Sequence, residues 1–217
     1  MSNLSDVTPF SEEIAGLPPV RGFLHRPAGL VGDGLVLTHG AGSDCRTPLL
    51  VSVAEAFAAA GFTVLRCDLP FRQRRTHGPP LGQTGAMDRE GLRAAALALR
   101  QLAPGRVFLG GHSYGGRQAS MLVAEDPLAA AGLLLLSYPL HPPKKPEQLR
   151  TAHFPKLQIP ALFVHGTRDP FGSIEEMQGA LGLILAPTRL LTVENALHDL
   201  KGVAPEKIVE AFRDLTG

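Results

Sequence analysis

The sequence predicts an α/β fold with a mostly parallel central sheet and helices on both faces. Short apolar segments alternate with longer segments of helical character along most of the chain, which is typical of repeated β-α-β units. The segment 132–136 is a continuous apolar run, as expected of a strand that is buried on both faces. Right-handed crossovers then place helices on both sides of the sheet. A chain of 217 residues is expected to form a single domain over 1–217.

Seven apolar segments are predicted to be strands. The first ends before Pro27 and is expected at an edge of the sheet, whereas the later ones are short and apolar enough to be buried. The predicted strands are 20–25, 34–38, 62–67, 106–109, 132–136, 161–165 and 189–193. Residues 1–19 are polar and then rich in proline, so a loose N-terminal arm is expected there.

Five segments between these strands are predicted to be helices. Gly61 closes the first, Pro104 stops the second, and Ser173 is expected to cap the N-terminus of the fourth. The predicted helices are 48–60, 86–102, 117–124, 173–185 and 205–215. The segments 71–85 and 139–160 are expected to be loops, and the second of them has room for a short helix near Glu147.

Residues 110–116 read GGHSYGG and lie between a predicted strand and a predicted helix. Ser113 is therefore expected at a sharp strand-to-helix turn, which is the context of a G-x-S-x-G nucleophile motif. Glycines fit at 111 and 115 because such a turn brings these two positions close together. The strained turn holds the hydroxyl clear of its own backbone, and the helix N-terminus points free N–H groups toward it.

Polar residues follow the ends of two other predicted strands. Asp169 comes after 161–165 and His198 after 189–193, and the carboxyl ends of parallel strands meet at one edge of the sheet. The sequence therefore predicts a catalytic triad of Ser113, His198 and Asp169. His198 would remove the Ser113 proton and Asp169 would orient the imidazole. The backbone N–H groups of Ala41 and Tyr114 are predicted to form the oxyanion hole.

Alternatives remain open for several of these residues. Asp169 precedes Pro170, so one alternative role for its side chain is to cap a turn. Glu194 and Asp199 are rival acids, although each lies too near His198 in sequence to be a separate orienting carboxylate. Three further histidines are expected to have structural roles: His39, His112 and His165.

A basic loop is predicted near the mouth of this site. The segment 71–85 follows a strand whose carboxyl end faces the same side as Ser113. Arg72 and Arg75 in this loop, together with Gly40, are predicted to bind the substrate, and the arginines are predicted to attract an anionic one. The alternative is a basic loop that is simply solvated.

Composition excludes several classes of partner. A net charge of +1 gives no general electrostatic reason to bind nucleic acid or an anionic membrane, and no apolar run is as long as a membrane span. Cys45 and Cys67 are interpreted as reduced thiols of a cytoplasmic protein, since the N-terminus does not read as a signal peptide. No metal and no organic cofactor is expected, because His, Cys and Asp do not cluster at ligand spacing. A monomer or homodimer acting on a small molecule is expected.

Four blocks of sequence resemble a known family. They are LTHGAG at 37–42, the 110–116 motif followed by Arg117, LSYPLHP at 136–142 and VHGTRDPFG at 164–172. The chain resembles the α/β-hydrolases, and most of all a small uncapped group similar to dienelactone hydrolase. That group also includes a subunit of a chromatin-modifying complex and its testis-expressed relatives. Dienelactone hydrolases carry a cysteine nucleophile where this chain has Ser113.

The resemblance implies an α/β-hydrolase fold without a cap domain. It implies a serine hydrolase that cleaves a small ester or thioester through an acyl-enzyme intermediate. The chromatin-complex relatives imply an alternative, a binding or scaffold protein that keeps the fold without turnover. A peptidase on the same fold usually has a propeller or cap that selects peptides, and the sequence contains no segment for one.

Overall fold

One mixed sheet organises the protein, and the computed structural model describes residues 6–29, 32–82 and 84–217. Its eight strands lie in the order β1-β2-β4-β3-β5-β6-β7-β8. Strands β1 and β2 are antiparallel to their neighbours, and the pairs from β4 to β8 are parallel. The strands are β1 (Asp6–Glu12), β2 (Val20–Arg26), β3 (Gly34–Thr38), β4 (Thr63–Cys67), β5 (Val107–His112), β6 (Leu133–Leu136), β7 (Ala161–Gly166) and β8 (Thr188–Val193).

In the part of the chain that the structure describes, six α-helices accompany the sheet, and all five helices predicted from the sequence are among them. The predicted cap of the fourth is confirmed, because the Ser173 side chain accepts a hydrogen bond from the Glu176 N–H in a capping box. The helices are α1 (Pro48–Ala59), α2 (Pro70–Arg74), α3 (Gly85–Arg100), α4 (Tyr114–Glu125), α5 (Ile174–Leu181) and α6 (Pro205–Thr216). Within the described ranges no helix is long and apolar enough to cross a membrane.

Two apolar cores lie on opposite faces of the sheet. Alternate residues of β3 enter different cores, since Val36 packs on one face and Leu35 and Leu37 on the other. Helices α1 and α6 cover the second face, where the rings of Phe108 and Phe212 pack edge to face with centroids 5.0 Å apart. Helices α3 and α4 cover the first face. The predicted arrangement of helices on both faces is confirmed.

The prediction of a loose N-terminal arm is wrong for the part of it that the structure describes. Residues Asp6–Glu12 form β1 and pair with β2 over seven positions, with Pro9 opposite Phe23. A proline inside a segment argues against a central strand, but an edge strand tolerates it. Phe10 packs against the core and fixes the strand to the sheet. Residues 1–5 of the predicted arm lie outside the described residues.

The two predicted loops contain short helices in unexpected places. The segment 71–85 begins within α2, which starts at Pro70 because proline is favoured in the first turn of a helix. In 139–160 the predicted helix near Glu147 is wrong, and a short 3₁₀ helix lies at Phe154–Lys156 instead. The Tyr138 hydroxyl donates to the Arg150 carbonyl at 2.6 Å and helps to hold the connection against the sheet. The connection from β6 to β7 therefore contains no helical lid.

Candidate active site

Ser113 lies at a strained turn between the end of β5 and the start of α4. Its backbone has φ 51° and ψ −111°, and a positive φ of this kind costs about 1–3 kcal/mol in a residue other than glycine. The surroundings require glycine on both sides. A Cβ at Gly115 would lie 2.5 Å from the Thr38 hydroxyl oxygen, and one at Gly111 would lie 2.9 Å from the Gly115 carbonyl carbon. The turn thus presents the serine hydroxyl at the edge of the sheet, as the sequence predicts.

Three side chains from three different loops form one chain of hydrogen bonds. The His198 Nε2 atom lies 2.8 Å from Ser113 Oγ, and His198 Nδ1 lies 2.8 Å from Asp169 Oδ2. These residues follow β5, β7 and β8, so the parallel sheet brings their loops to one edge. The His198 side chain is about one-fifth exposed and that of Asp169 is fully buried. The arrangement has a solvent-accessible hydroxyl, an imidazole and a buried carboxylate in the order that general-base activation needs.

Asp169 is held in its charged form by the groups around it. Burial by itself raises the pKa of Asp169, but hydrogen bonds from His198 and the Phe171 N–H hold it below the ordinary value. The imidazole of His165 lies further away, with Nε2 3.9 Å from Asp169 Oδ2, and hydrogen-bonds the Gly172 carbonyl instead. An ionised Asp169 can accept the His198 Nδ1–H and so fix the tautomer that leaves Nε2 free to act as a base.

His112 and Phe171 hold His198 from two sides. His112 Nε2 donates to the His198 carbonyl oxygen at 2.7 Å, and the Phe171 and His198 rings have centroids 4.2 Å apart. Burial lowers the pKa of His112 to about 4, so this imidazole is neutral at neutral pH. The sequence predicted packing for His112, and the structure adds a direct hydrogen bond to the loop that carries His198.

Acid is expected to destabilise this protein through its buried neutral histidines. Burial lowers the pKa of His25, His112 and His153 to about 4, below the value of about 6.5 for histidine in an unfolded chain. Between these two values the unfolded chain binds more protons than the folded protein. The free energy of unfolding therefore falls as pH falls through this window, by about 1.4 kcal/mol per pH unit for each proton of difference.

Thermal unfolding followed by circular dichroism between pH 7.5 and 4.5 measures this slope. His25→Gln should reduce the dependence of stability on pH, because glutamine does not titrate. Glutamine can still accept the hydrogen bond that Arg66 Nε donates to His25 Nε2 at 2.7 Å, so the contact is kept. His77→Gln is the matched control, since His77 is exposed. A melting temperature that does not change over this pH range would contradict the prediction.

The loop after β3 and the start of α4 both lie beside Ser113. Ala41 and Tyr114 line the same cavity as the Ser113 side chain. His39 shapes this loop, because its Nδ1 donates to the Gly40 carbonyl at 2.8 Å while Nε2 accepts from the Leu69 N–H at 3.2 Å. Tyr114 is the first residue of α4, so its N–H has no acceptor within the helix.

The other predicted substrate-binding residues lie elsewhere. Arg72 is buried, and its guanidinium donates to the carbonyls of Ala41, Ser43, Arg75 and Gly78. Arg72 therefore holds the loop in place and has little capacity left for an anion. Arg75 is exposed and donates to the Pro79 carbonyl at 3.4 Å. Gly40 packs against His112, where a Cβ would lie 3.0 Å from Nδ1. The residues that line the cavity beside Ser113 do not include Arg72, Arg75 or Gly40.

The cavity beside Ser113 has a volume of about 600 Å³ and carries arginines that sequence reasoning missed. They are Arg89 on α3, Arg117 on α4 and Arg150 in the connection from β6 to β7. Position 117 carried a usable signal, because it directly follows the glycine motif and so lies in the first turn of the helix. Position 150 carried no such signal.

Across residues 6–29, 32–82 and 84–217 no group of three or more His, Cys, Asp or Glu side chains is arranged to hold a metal ion. Cys45 and Cys67 are both free and buried.

Comparison with known proteins gives a family and several similar folds. Residues 32–209 match a family model described as an alpha/beta hydrolase domain. A dienelactone hydrolase from Anabaena variabilis is 22% identical, with a TM-score of 0.74 over 98% of this chain and 97% of that chain. Est1E from Butyrivibrio proteoclasticus is 16% identical, with a TM-score of 0.74 over 95% and 96%. A serine hydrolase without a lid from Xanthomonas campestris is 18% identical, with a TM-score of 0.71 over 97% and 92%.

Proposed function

The chain belongs to the alpha/beta hydrolase family, and from this premise we propose that it is a serine hydrolase that cleaves a small ester or thioester. The observation that carries the proposal is the continuous hydrogen-bond chain from Ser113 Oγ through His198 to Asp169, with 2.8 Å at both steps. A scaffold protein has no need to keep three residues from separate loops within hydrogen-bond distance of one another. The dienelactone hydrolase and the serine hydrolase without a lid among the similar structures agree with this proposal.

The reaction starts when His198 Nε2 takes the proton of Ser113 as Oγ attacks the carbonyl carbon of the substrate. Asp169 keeps the Nδ1 proton on His198 and stabilises the imidazolium that forms. His198 then gives the proton to the departing alcohol or thiol, which leaves Ser113 acylated. Water enters, loses a proton to His198 and attacks the acyl carbon. The acid departs and Ser113 Oγ recovers its proton.

The N–H groups of Ala41 and Tyr114 donate hydrogen bonds to the carbonyl oxygen of the substrate as negative charge develops on it. Two contacts support this role. Arg72 Nη2 donates to the Ala41 carbonyl at 3.0 Å and so fixes the loop that carries the Ala41 N–H. The Gly115 N–H donates to the His39 carbonyl at 3.1 Å, which ties the start of α4 to the same loop. Removing one such donor typically costs an enzyme about 3–4 kcal/mol of transition-state stabilisation.

An open site is expected to favour short acyl chains. The connection from β6 to β7 carries no helical lid, and the cavity beside Ser113 contains several arginines, so a long acyl chain would gain little from apolar burial. Initial rates with 4-nitrophenyl acetate, butyrate and octanoate measure the preference. We expect kcat/KM to be higher for acetate and butyrate than for octanoate.

Covalent labelling of Ser113 by an alkyl phosphonate at pH 8 tests the proposed function independently of the ester used. A much higher kcat/KM for octanoate would contradict the open site but would leave the hydrolase assignment intact. A folded protein whose Ser113 is not labelled would contradict the hydrolase assignment itself and favour a scaffold.

A further inference from the structure

The cavity beside Ser113 carries positive charge that the carboxylates of the described residues neutralise only in part. Arg89, Arg117 and Arg150 line it, and its described lining contains no Asp or Glu. Arg89 has its own partners, because Nε donates to Glu125 at 2.9 Å and Nη1 donates to Gln118 at 3.2 Å. The charge that remains is that of Arg117 and Arg150.

Arg117 is partly buried and lacks the carboxylate partner that a guanidinium in such a place normally has. Its Nε is buried and has no hydrogen-bond acceptor among the residues that the structure describes. Neither Arg117 nor Arg150 forms a salt bridge with a carboxylate of the described chain. Burial of an unpaired charge is unfavourable, so buried arginines are normally paired with an acid or occupied by a ligand.

Arg150 also lines the cavity and comes from the connection between β6 and β7. Its Nη1 donates to the Pro139 carbonyl at 3.3 Å, a weak contact that leaves the other donors of the guanidinium available. Burial and then the neighbouring charge of Arg117 lower the pKa of Arg150 below its ordinary value, as expected for two like charges that lie near one another. A negatively charged group between them would remove this repulsion.

We propose that Arg117 and Arg150 bind a carboxylate of the substrate, so that the enzyme prefers esters or thioesters that carry a second, ionised acid group. This inference rests on the proposed function, since it assigns the substrate class of the same site. The Nε–Nη edge of a guanidinium matches the two oxygens of a carboxylate. Arg117 follows Ser113 by four residues, about one helical turn of 5.4 Å along α4. The carboxylate would therefore lie a few bonds from the carbonyl that Ser113 attacks.

Matched pairs of esters test this preference. One pair places the charge in the acyl part: the 4-nitrophenyl ester of glutaric acid with its second carboxyl free, and the same compound with that carboxyl methylated. The other pair places it in the leaving group: 3-acetoxybenzoate and its methyl ester. We expect the charged member of at least one pair to have a kcat/KM at least tenfold higher, and the position of the charge then shows which part of the substrate the arginines contact. The preference should decrease as sodium chloride is added.

Substitutions connect the preference to the arginines. Arg117→Gln should lower the ratio of kcat/KM for the charged and neutral esters by about ten- to a hundredfold, the effect of losing a hydrogen bond between charged groups. Arg117→Lys should lower it less, because the charge remains. Arg189→Gln removes one positive charge from β8, where Arg189 pairs with Asp214, and should leave the ratio unchanged. Arg117→Gln is expected to fold, since it removes a group that has no partner at Nε.

Two outcomes would overturn the inference and leave the hydrolase assignment standing. One is an equal kcat/KM for the charged and neutral members of both pairs. The other is a preference for the charged ester that neither Arg117→Gln nor Arg150→Gln changes. If no ester of either pair is cleaved and Ser113 is not labelled by a phosphonate, the proposed function fails and the inference fails with it. Release of 4-nitrophenolate reports acylation, so slow deacylation would still give a burst to measure.

Discussion

Ser113→Ala is expected to abolish phosphonate labelling and to reduce ester hydrolysis by about a million-fold, the loss typical of removing a triad nucleophile. His198→Ala should reduce both by a similar factor, because the Ser113 hydroxyl then has no base 2.8 Å away. Mass spectrometry of the labelled protein and the initial rate with 4-nitrophenyl acetate measure the two effects.

Ser137 supplies a matched control for this experiment. It follows β6 with φ 47°, so it is also a serine with positive φ at the end of a central strand. Its hydroxyl is buried and has no hydrogen-bond partner in the described part of the chain, so no base activates it. Ser137→Ala should retain labelling and hydrolysis. Loss of labelling in Ser137→Ala, or its persistence in Ser113→Ala, would contradict the choice of nucleophile.

Asp169→Asn is expected to reduce kcat by about ten-thousandfold, the loss seen for the equivalent change in a trypsin-type triad. Asparagine has nearly the same shape, but its side-chain N–H₂ group cannot accept the His198 Nδ1–H. The imidazole then adopts the tautomer with a proton on Nε2, and this nitrogen can no longer take the Ser113 proton. Single-turnover hydrolysis and the rate of phosphonate labelling both report the loss.

Glu194→Gln and Asp199→Asn are the controls for this change. Glu194 is exposed beyond β8, and Asp199 Oδ1 accepts a hydrogen bond from the Lys201 N–H at 3.1 Å, so both carboxylates act away from the His198 Nδ1 atom. Both variants should hydrolyse 4-nitrophenyl acetate at a rate close to that of the wild type. If Asp169→Asn retained activity while one of these variants lost it, the choice of Asp169 as the acid would be wrong. The assignment of the protein as a hydrolase would still stand.

The sequence was informative about the triad because the fold imposes a simple rule on it. In a parallel sheet the residues that follow the strands meet at one edge. Residues that are far apart in sequence can therefore be predicted to lie close together. Ser113, Asp169 and His198 each directly follow or closely follow a strand, and the structure brings them within hydrogen-bond distance. The glycines of 110–116 indicated the turn, because a Cβ at position 111 or 115 would collide with neighbouring atoms there.

The lining of the cavity was less predictable, because it depends on the direction of side chains. Arg72 is in the predicted loop, yet α2 turns its guanidinium inward to four carbonyl groups. Arg117 is in a predicted helix, and only the packing of α4 on the sheet shows that it faces the cavity. Arg150 lines the same cavity from a proline-rich connection, in which the apolar residues follow neither helical nor strand spacing. The sequence therefore predicted arginines near the mouth of the site, and the arginines that line the cavity are Arg89, Arg117 and Arg150 and not Arg72 or Arg75.

The proline in β1 has a consequence for how molecules of this protein meet one another. An edge strand exposes backbone N–H and C=O groups, and these can pair with a strand of another molecule. Pro9 lies in the middle of β1 and has no N–H, so the ladder that a second strand would need is interrupted there. Growth of the sheet from one molecule to the next, the first step of edge-to-edge aggregation, is therefore disfavoured along β1.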